Sequence, residues 1–298
     1  MARVVVIVNP VASRTDPNVV RTVSSVLTRE GWDVEVVGTT RPGHAAELAR
    51  AALDDGITRI AIYGGDGTTM QAVRGVVGEE VEFGLVPGGT GNLLARNLRL
   101  PRDPAKAALV IARGVPRRID LGRIVRSDGD HYFAVACGAG YDAELMARTT
   151  SAAKRRWKFG AYVAQVLQTL AGVRNVSYRI TVDGELLEVE AATVMVANCA
   201  ELIPPFIRFG TGISVDDGLL DVVILRAQGF VQSAGVVWRL WRGGNDARGN
   251  VRYARGRVVS VETDPVRPVQ LDGEAAGETP FTAEILPGAL RILVPSTS

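Results

Sequence analysis

The chain has 298 residues, 47% of them apolar and 22% charged, with a net charge of +2. That length suits two domains with ample cores. The small charge excludes the basic stripe of a nucleic-acid binder, and no segment approaches the ~18 uninterrupted apolar residues that cross a bilayer. Cys137 and Cys199 are the only cysteines, stand in apolar surroundings without metal or redox spacing, and read as buried thiols rather than a secreted disulfide framework. From Met1 the sequence enters an apolar run without a basic leader region, which reads as an uncleaved, cytoplasmic start.

Along the first hundred residues, short continuous apolar runs end in turns of Gly, Pro or Asn. Run 4–8 precedes Asn9-Pro10, run 60–63 precedes Gly64-Gly65, and run 83–86 precedes Pro87-Gly88-Gly89. Continuous runs suit strands buried on both faces of a parallel sheet. Between them, 18–29 places Val19, Val20, Val23, Val26 and Leu27 on one helical face, and 43–53 is rich in Ala and Leu. A last helix is expected over 104–113, with Pro104 in its first turn. Strand and helix alternate, which predicts an α/β N-terminal layered domain with a mainly parallel sheet, over residues 1–122 and completed by about 286–298.

Residues 123–285 read as a mainly antiparallel β-sandwich second domain. Hairpins are expected over 122–136, around Ser127-Asp128-Gly129-Asp130, and over 177–191, around Asp183-Gly184. Helical patterns interrupt it at 151–173 and 231–241.

The stretch from Ile60 to Thr68 reads as strand, tight turn and then a helix beginning near Thr68. Glycines let a phosphate approach the backbone, and a helix N-terminus favours an anion, so Gly64-Gly65-Asp66-Gly67-Thr68 is a candidate phosphate cradle. Asp66 would then face a divalent cation or take part in proton transfer; alternatively it is a helix cap in a plain βα turn. A second turn, Pro87-Gly88-Gly89-Thr90-Gly91-Asn92, should emerge at the same sheet edge, with the hydroxyls of Thr68 and Thr90 and the amide of Asn92 as directional donors. Neither turn is a P-loop or a dinucleotide fingerprint. Further on, Asp216-Asp217-Gly218-Leu219-Leu220-Asp221 is either a hard-cation turn or an Asp-Gly hairpin. Asp272-Gly273-Glu274 follows an apolar strand and is either a plain hairpin turn or, if the second domain folds over the nucleotide edge, the source of a carboxylate, Glu274, able to take a proton from a substrate hydroxyl.

The four pieces in this order, GGDGT, PGGTGN, DDGLLDV and DGE, resemble the diacylglycerol kinase catalytic family, a relative of sphingosine, ceramide and NAD kinases. The resemblance covers nearly the whole chain. It implies an ATP-dependent lipid kinase that phosphorylates the hydroxyl of diacylglycerol or a related lipid, with ATP and Mg2+ as cofactors. Asn9, Thr40, Gly64, Gly65, Asp66, Gly67, Thr68, Gly89, Thr90, Gly91 and Asn92 would line the nucleotide site. Asp66 would be a catalytic residue beside the phosphates and magnesium, and Glu274 would be the general base. Asp217, with main-chain oxygens of Ser214 and Leu219, matches the family's structural magnesium site.

This sequence departs from the family after Asn9-Pro10, where Val11-Ala12-Ser13-Arg14 replaces a Ser-Gly pair and a Lys. It departs again at Met70-Gln71, in place of Asn-Glu, and at Leu93, in place of Asp. A lipid acceptor implies peripheral contact with the inner face of the membrane. Phe230, Val237, Trp238 and Trp241 with Arg239 and Arg242, and the run Lys154-Arg155-Arg156-Trp157-Lys158, are candidate contacts or else core and solvated helix. A homodimer is left open. The competing functions are a sphingoid or other lipid kinase, an NAD kinase, and a non-catalytic lipid- or nucleotide-binding module.

Overall fold

The computed structural model describes residues 1–12, 15–126, 129–140, 174–203, 207–208, 212–229, 232–233, 235 and 249–296. The chain divides into two compact units, Met1–Leu121 with Pro287–Ser298, and Gly122–Leu286. Arg14, Phe230, Val237, Trp238, Arg239, Trp241 and Arg242, the run from Lys154 to Lys158 and the 151–173 helical pattern lie outside the described residues.

The first unit alternates β1 (Ala2–Val8), α1 (Pro17–Arg29), β2 (Trp32–Gly38), α2 (His44–Asp54), β3 (Arg59–Gly64), α3 (Asp66–Gly75), β4 (Glu82–Pro87), α4 (Leu93–Asn97) and α5 (Pro104–Arg113) before β5 (Val115–Arg126). Its strands run in the order β2-β1-β3-β4, all parallel. The three apolar runs of the sequence are β1, β3 and β4, and Ile7, Ile60 and Ile62 within them are almost wholly removed from solvent. Two helices start as their residues direct. Asp16 caps α1 through Asn18 N–H at 2.8 Å, Asp103 caps α5 through Lys106 N–H at 2.9 Å, and each is followed by a proline in the first turn. α1 and α5 share one apolar layer, Val23 and Leu27 meeting Ala107, Ala108 and Ile111. α3 begins at Asp66, two residues before the start expected at Thr68, because Gly65 takes the N-cap position.

The second unit contains the end of β5, then β6 (Gly129–Phe133), β7 (Ala136–Gly140), β8 (Val176–Val182), β9 (Glu185–Ala191), β10 (Thr193–Ala197), the short pair β11 (Glu201–Ile203) and β12 (Ile207–Arg208), β13 (Leu220–Leu225), β14 (Val251–Gly256), β15 (Val258–Asp264), β16 (Pro268–Leu271), β17 (Glu274–Glu278) and the first part of β18 (Phe281–Val294). One antiparallel sheet is ordered β14-β13-β10-β7-β16-β17. In the other, β9, β8, β15 and β18 are neighbours in that order. Val194, Val222 and Ile224 from the first share a core with Ile180, Val261 and Phe281 from the second, which makes a β-sandwich. Cys137 and Cys199 are both buried and form no disulfide, and the Cys199 thiol donates to the Ala134 carbonyl at 3.3 Å.

The strand expected over 131–136 stops at Phe133, and β7 then pairs in the other sheet. The break falls at Ala134 and Val135, whose N–H groups bond to a side chain, Asp272, instead of a neighbouring strand. The second part of β18 pairs in parallel with β4, Arg291 opposite Glu82, and is the fifth strand of the first unit's sheet. Among the described residues, no helix is long and apolar enough to cross a membrane.

Candidate active site

At the carboxyl ends of β1, β2, β3 and β4 the first unit gathers the residues singled out in its sequence. Asn9 leaves β1 with its N–H on the Tyr63 carbonyl at 3.0 Å. Its side chain donates to Thr68 Oγ1 at 2.8 Å and accepts from Val11 N–H at 3.1 Å. One amide thus ties the first loop to the first turn of α3. Thr39 N–H bonds to the Val8 carbonyl at 2.8 Å, which sets Thr40 beside β1. Both the N–H and the hydroxyl of Thr40 lie 3.1 Å from His44 Nδ1. The Thr40 N–H is a donor, so Nδ1 is the acceptor in that bond.

The departure at Gln71 has a structural account: its Oε1 accepts from Gly43 N–H at 3.1 Å, fastening α3 to the start of α2. Accepting that bond requires an oxygen, which an amide supplies as well as a carboxylate.

The two glycine turns interlock. Gly88 N–H donates to the Gly64 carbonyl at 2.8 Å. A Cβ on Gly89 would stand 2.7 Å from Gly65 Cα, and one on Gly64 would stand 2.9 Å from Thr68 Oγ1. Glycine is required here by the closeness of backbone to backbone, as well as by access for a ligand. Asp66 reaches across the pair: its two carboxylate oxygens accept from Leu93 N–H at 3.0 Å and Leu94 N–H at 3.1 Å. It therefore caps a helix, as the plainer sequence reading allows, but α4 of the second turn rather than its own α3.

Asn92, in the left-handed region at φ 49°, accepts from Gly89 N–H at 2.9 Å and donates to the Gly89 carbonyl at 2.8 Å. Its amide shapes its own turn instead of pointing outward. Thr90 is exposed, whereas Gly65, Asp66 and Gly67 are half-buried. The N-cap of α3, Gly65, has no side-chain oxygen and makes no side-chain cap bond. The start of that ten-residue helix is a backbone donor surface of the kind anions use.

In the second unit, the turn before β13 places Asp217 Oδ1 on Leu219 N–H at 3.1 Å, and the Ser214 hydroxyl donates to Asp216 at 2.6 Å. Arg255 lies opposite Asp221 on the β13–β14 ladder, bonds to it at 2.9 and 3.2 Å, donates to the Gly212 carbonyl at 2.7 Å and stands 3.8 Å from Asp217. Burial pushes the Asp221 carboxyl up, and the bonds from Arg255 oppose that shift. One carboxylate and two main-chain oxygens are hard donors that suit a magnesium ion keeping several waters. Arg255 already supplies positive charge to the same turn, and among the described residues no group of three or more His, Cys, Asp or Glu side chains that could hold a metal ion is found. Glu274 is exposed as the first residue of β17, directly after the Asp272-Gly273 turn. The part played by Asp272, whose carboxylate accepts three backbone N–H groups, is not legible in the motif: a DGE triplet points to its glutamate.

Comparison with known proteins assigns the two parts separately. Residues 3–124 match the diacylglycerol kinase catalytic domain, and residues 135–294 match the YegS C-terminal NAD kinase beta sandwich-like domain. A diacylglycerol kinase of Mycobacterium tuberculosis is 28% identical over 280 residues, covering 90% of this chain and 87% of that protein. A diacylglycerol kinase of Bacillus subtilis is 28% identical over 253 residues, with 84% and 82% covered. An uncharacterized Synechocystis protein is 27% identical over 246 residues, and there the match spans 81% of this chain but 56% of the longer relative. In fold, a diacylglycerol kinase from Bacillus anthracis superposes with a TM-score of 0.77 at 21% identity, covering 99% of this chain and 97% of that one. With both matches in sequence order and between them spanning nearly all of its length, the chain belongs to the diacylglycerol kinase family, in the form that carries a YegS-type C-terminal domain.

Proposed function

We propose that the protein is an ATP-dependent lipid kinase that transfers the γ-phosphoryl group of ATP to the free hydroxyl of diacylglycerol or a closely related lipid, giving a phosphatidic-acid-type product and ADP. The observation that carries the reading is the interlocked pair of glycine turns at the start of α3, with Asn9 bonded to Thr68 and Asp66 bonded to the backbone of the second turn. The names borne by the curated relatives support it.

In this reading the backbone of Gly65, Gly67 and Thr68, with Asn9, Thr40 and Thr90, receives the nucleotide, and the dipole of α3 favours its phosphates. Asp66 keeps the turns at a fixed spacing beside those phosphates. Glu274 takes the proton of the lipid hydroxyl as its oxygen bonds to the γ-phosphorus and the bond to the β–γ bridging oxygen breaks. Most of the rate then comes from alignment and charge neutralisation, since phosphoryl transfer requires little covalent chemistry from the protein. Asp217 and the carbonyls of Ser214 and Leu219 would hold a structural Mg2+, whose role there is to brace the turn before β13. A lipid acceptor further places the working protein peripherally at a membrane surface.

The test is incubation with radiolabelled ATP and a panel of micellar lipids (diacylglycerol, monoacylglycerol, ceramide and sphingosine) beside NAD. Label is expected in a lipid phosphate, and Glu274→Ala is expected to reduce turnover by at least the ~10²–10⁴-fold typical of a lost general base, with ATP affinity retained. Label confined to NADP would reject the lipid reading, and full turnover by Glu274→Ala would reject the base.

A further inference from the structure

Two hairpins of the second unit are built on one plan. In each, a two-residue Asp-Gly loop takes positive φ at both positions, 49° and 92° at Asp183-Gly184 and 47° and 89° at Asp272-Gly273. That is the turn whose twist matches paired antiparallel strands, and aspartate tolerates the left-handed position better than most residues. In each, the aspartate carboxylate turns back onto the backbone of another segment. Asp183 accepts from Arg257 N–H at 2.9 and 3.1 Å and from Val258 N–H at 2.8 Å. Asp272 accepts from Ala134 N–H at 2.8 Å, Val135 N–H at 2.9 Å and Ala136 N–H at 2.9 Å.

The difference lies in what each turn carries. The residue after Gly184 is Glu185, which belongs to no candidate site, whereas the residue after Gly273 is Glu274. The Asp272 anchorage is also the more deeply set. Ala134, Val135 and Ala136 are 1%, 2% and 4% exposed. Their carbonyls are taken in turn by Asn198 Nδ2 at 3.0 Å on Ala134, by Asn198 N–H at 2.8 Å on Val135, and by Asp272 N–H at 2.9 Å on Ala136. On the strand side, Gln270 Oε1 accepts from Gly273 N–H at 2.7 Å. Three charge-assisted bonds on one side and an amide bond on the other leave the turn little freedom.

We propose that Asp272 is the positioning residue of Glu274: by locking the Asp272-Gly273 turn onto the buried segment 134–136, it fixes where the carboxylate of Glu274 stands. The proposal rests on Glu274 being the base. Asp272 need touch neither substrate. Its effect is geometric, and displacement of a reacting group by about 1 Å can cost on the order of 10²-fold in rate.

The decisive experiment compares Asp272→Asn with Asp183→Asn, the same exchange in the twin turn, using whichever lipid of the panel above gives the highest turnover. Asp272→Asn is expected to lower kcat by roughly 10–100-fold with the KM for ATP within twofold of the parent. Asp183→Asn is expected to lower the melting temperature measurably and to leave kcat within about twofold. A folded Asp272→Asn protein with parental kcat, or an equal kcat loss in Asp183→Asn, overturns the proposal. If Asp272→Asn does not fold, Gln270→Met, which removes the bond to Gly273 N–H, takes its place: a kcat loss at constant KM supports the assignment and parental kcat overturns it. Full turnover by Glu274→Ala would instead remove the reading on which the assignment stands, so the two failures are separable.

Discussion

Asp66 and Asn92 show how much of this site is spent on holding itself together. Each is polar, each falls inside a Gly-rich turn, and each directs its side chain at backbone groups of the second turn. Glycine completes the arrangement, because Gly65 and Gly89 pass closer than any side chain allows. Gly89→Ala should therefore separate the turns, destabilising the first unit by about 1–3 kcal/mol as overpacking does and weakening ATP binding by about tenfold or more. Calorimetric titration and a thermal melt would measure both. Gly38→Ala, where a Cβ would meet nothing within 4 Å, should alter neither. At this scale the motifs were legible as places but not as partners. The GGDGT pattern marks Asp66, while its bonds to Leu93 and Leu94, 27 and 28 residues later, depend on a strand and a chain reversal that no local pattern records.

Among the elements, the strands legible in sequence are those whose two faces are both covered. Within β1, β3 and β4 the runs 4–8, 60–63 and 83–86 are unbroken and apolar because every residue in them is buried. β2 escapes that reading: its burial alternates at its start, Trp32, Val34 and Val37 are only half-buried, and Thr39-Thr40 follows it instead of Gly or Pro. α4 has five residues, too few for a helical period to show. The Asp183-Gly184 hairpin, by contrast, is set by local turn chemistry and was plain in the sequence.

Helix pairing was not legible, and one ion pair there has a pH signature. Glu30, the C-cap of α1, receives the guanidinium of Arg113, the last residue of α5, and the hydrogen bond from Arg113 holds its carboxyl below the usual value of 4.5. A carboxyl depressed by folding stabilises above its unfolded pKa, and the contribution is lost as pH falls through the lower folded value. Glu30→Gln should therefore melt earlier than the parent at neutral pH, with the gap closing as the pH drops below 4.5 and shrinking at high salt, since the pair is exposed. A gap that persists at pH 2 would assign the effect to packing.

At the scale of the whole molecule, the first unit is discontinuous in sequence: it takes its fifth strand from Pro287–Ser298. Leu290, Ile292 and Leu293 of that segment are 2%, 0% and 0% exposed. At roughly 1.5–3 kcal/mol for each such side chain, they contribute about as much as the ~5–15 kcal/mol net stability of an ordinary domain. A protein ending at Leu121 should therefore show no cooperative melt and should be digested rapidly by protease, while the same chain with residues 287–296 joined through a flexible linker should regain a cooperative melt and resistance to protease. That about 286–298 would complete the first domain was readable from sequence. That segment's parallel pairing with β4 was not, because only topology says which strand edge is left open.

That same late strand sets a timetable. During synthesis β4 is made early, yet its partner in β18 emerges only after residues 122–286 have been translated, an interval of roughly 10–30 s at the ~5–20 residues per second of a ribosome. For that time β4 is an uncovered strand edge with Phe83 and Leu85 beside it, the kind of edge that pairs with foreign chains. Glu82 stands at that edge, already bonded to Arg59 of β3 at 2.9 Å, and a charge at an open strand is a recognised deterrent to intermolecular pairing.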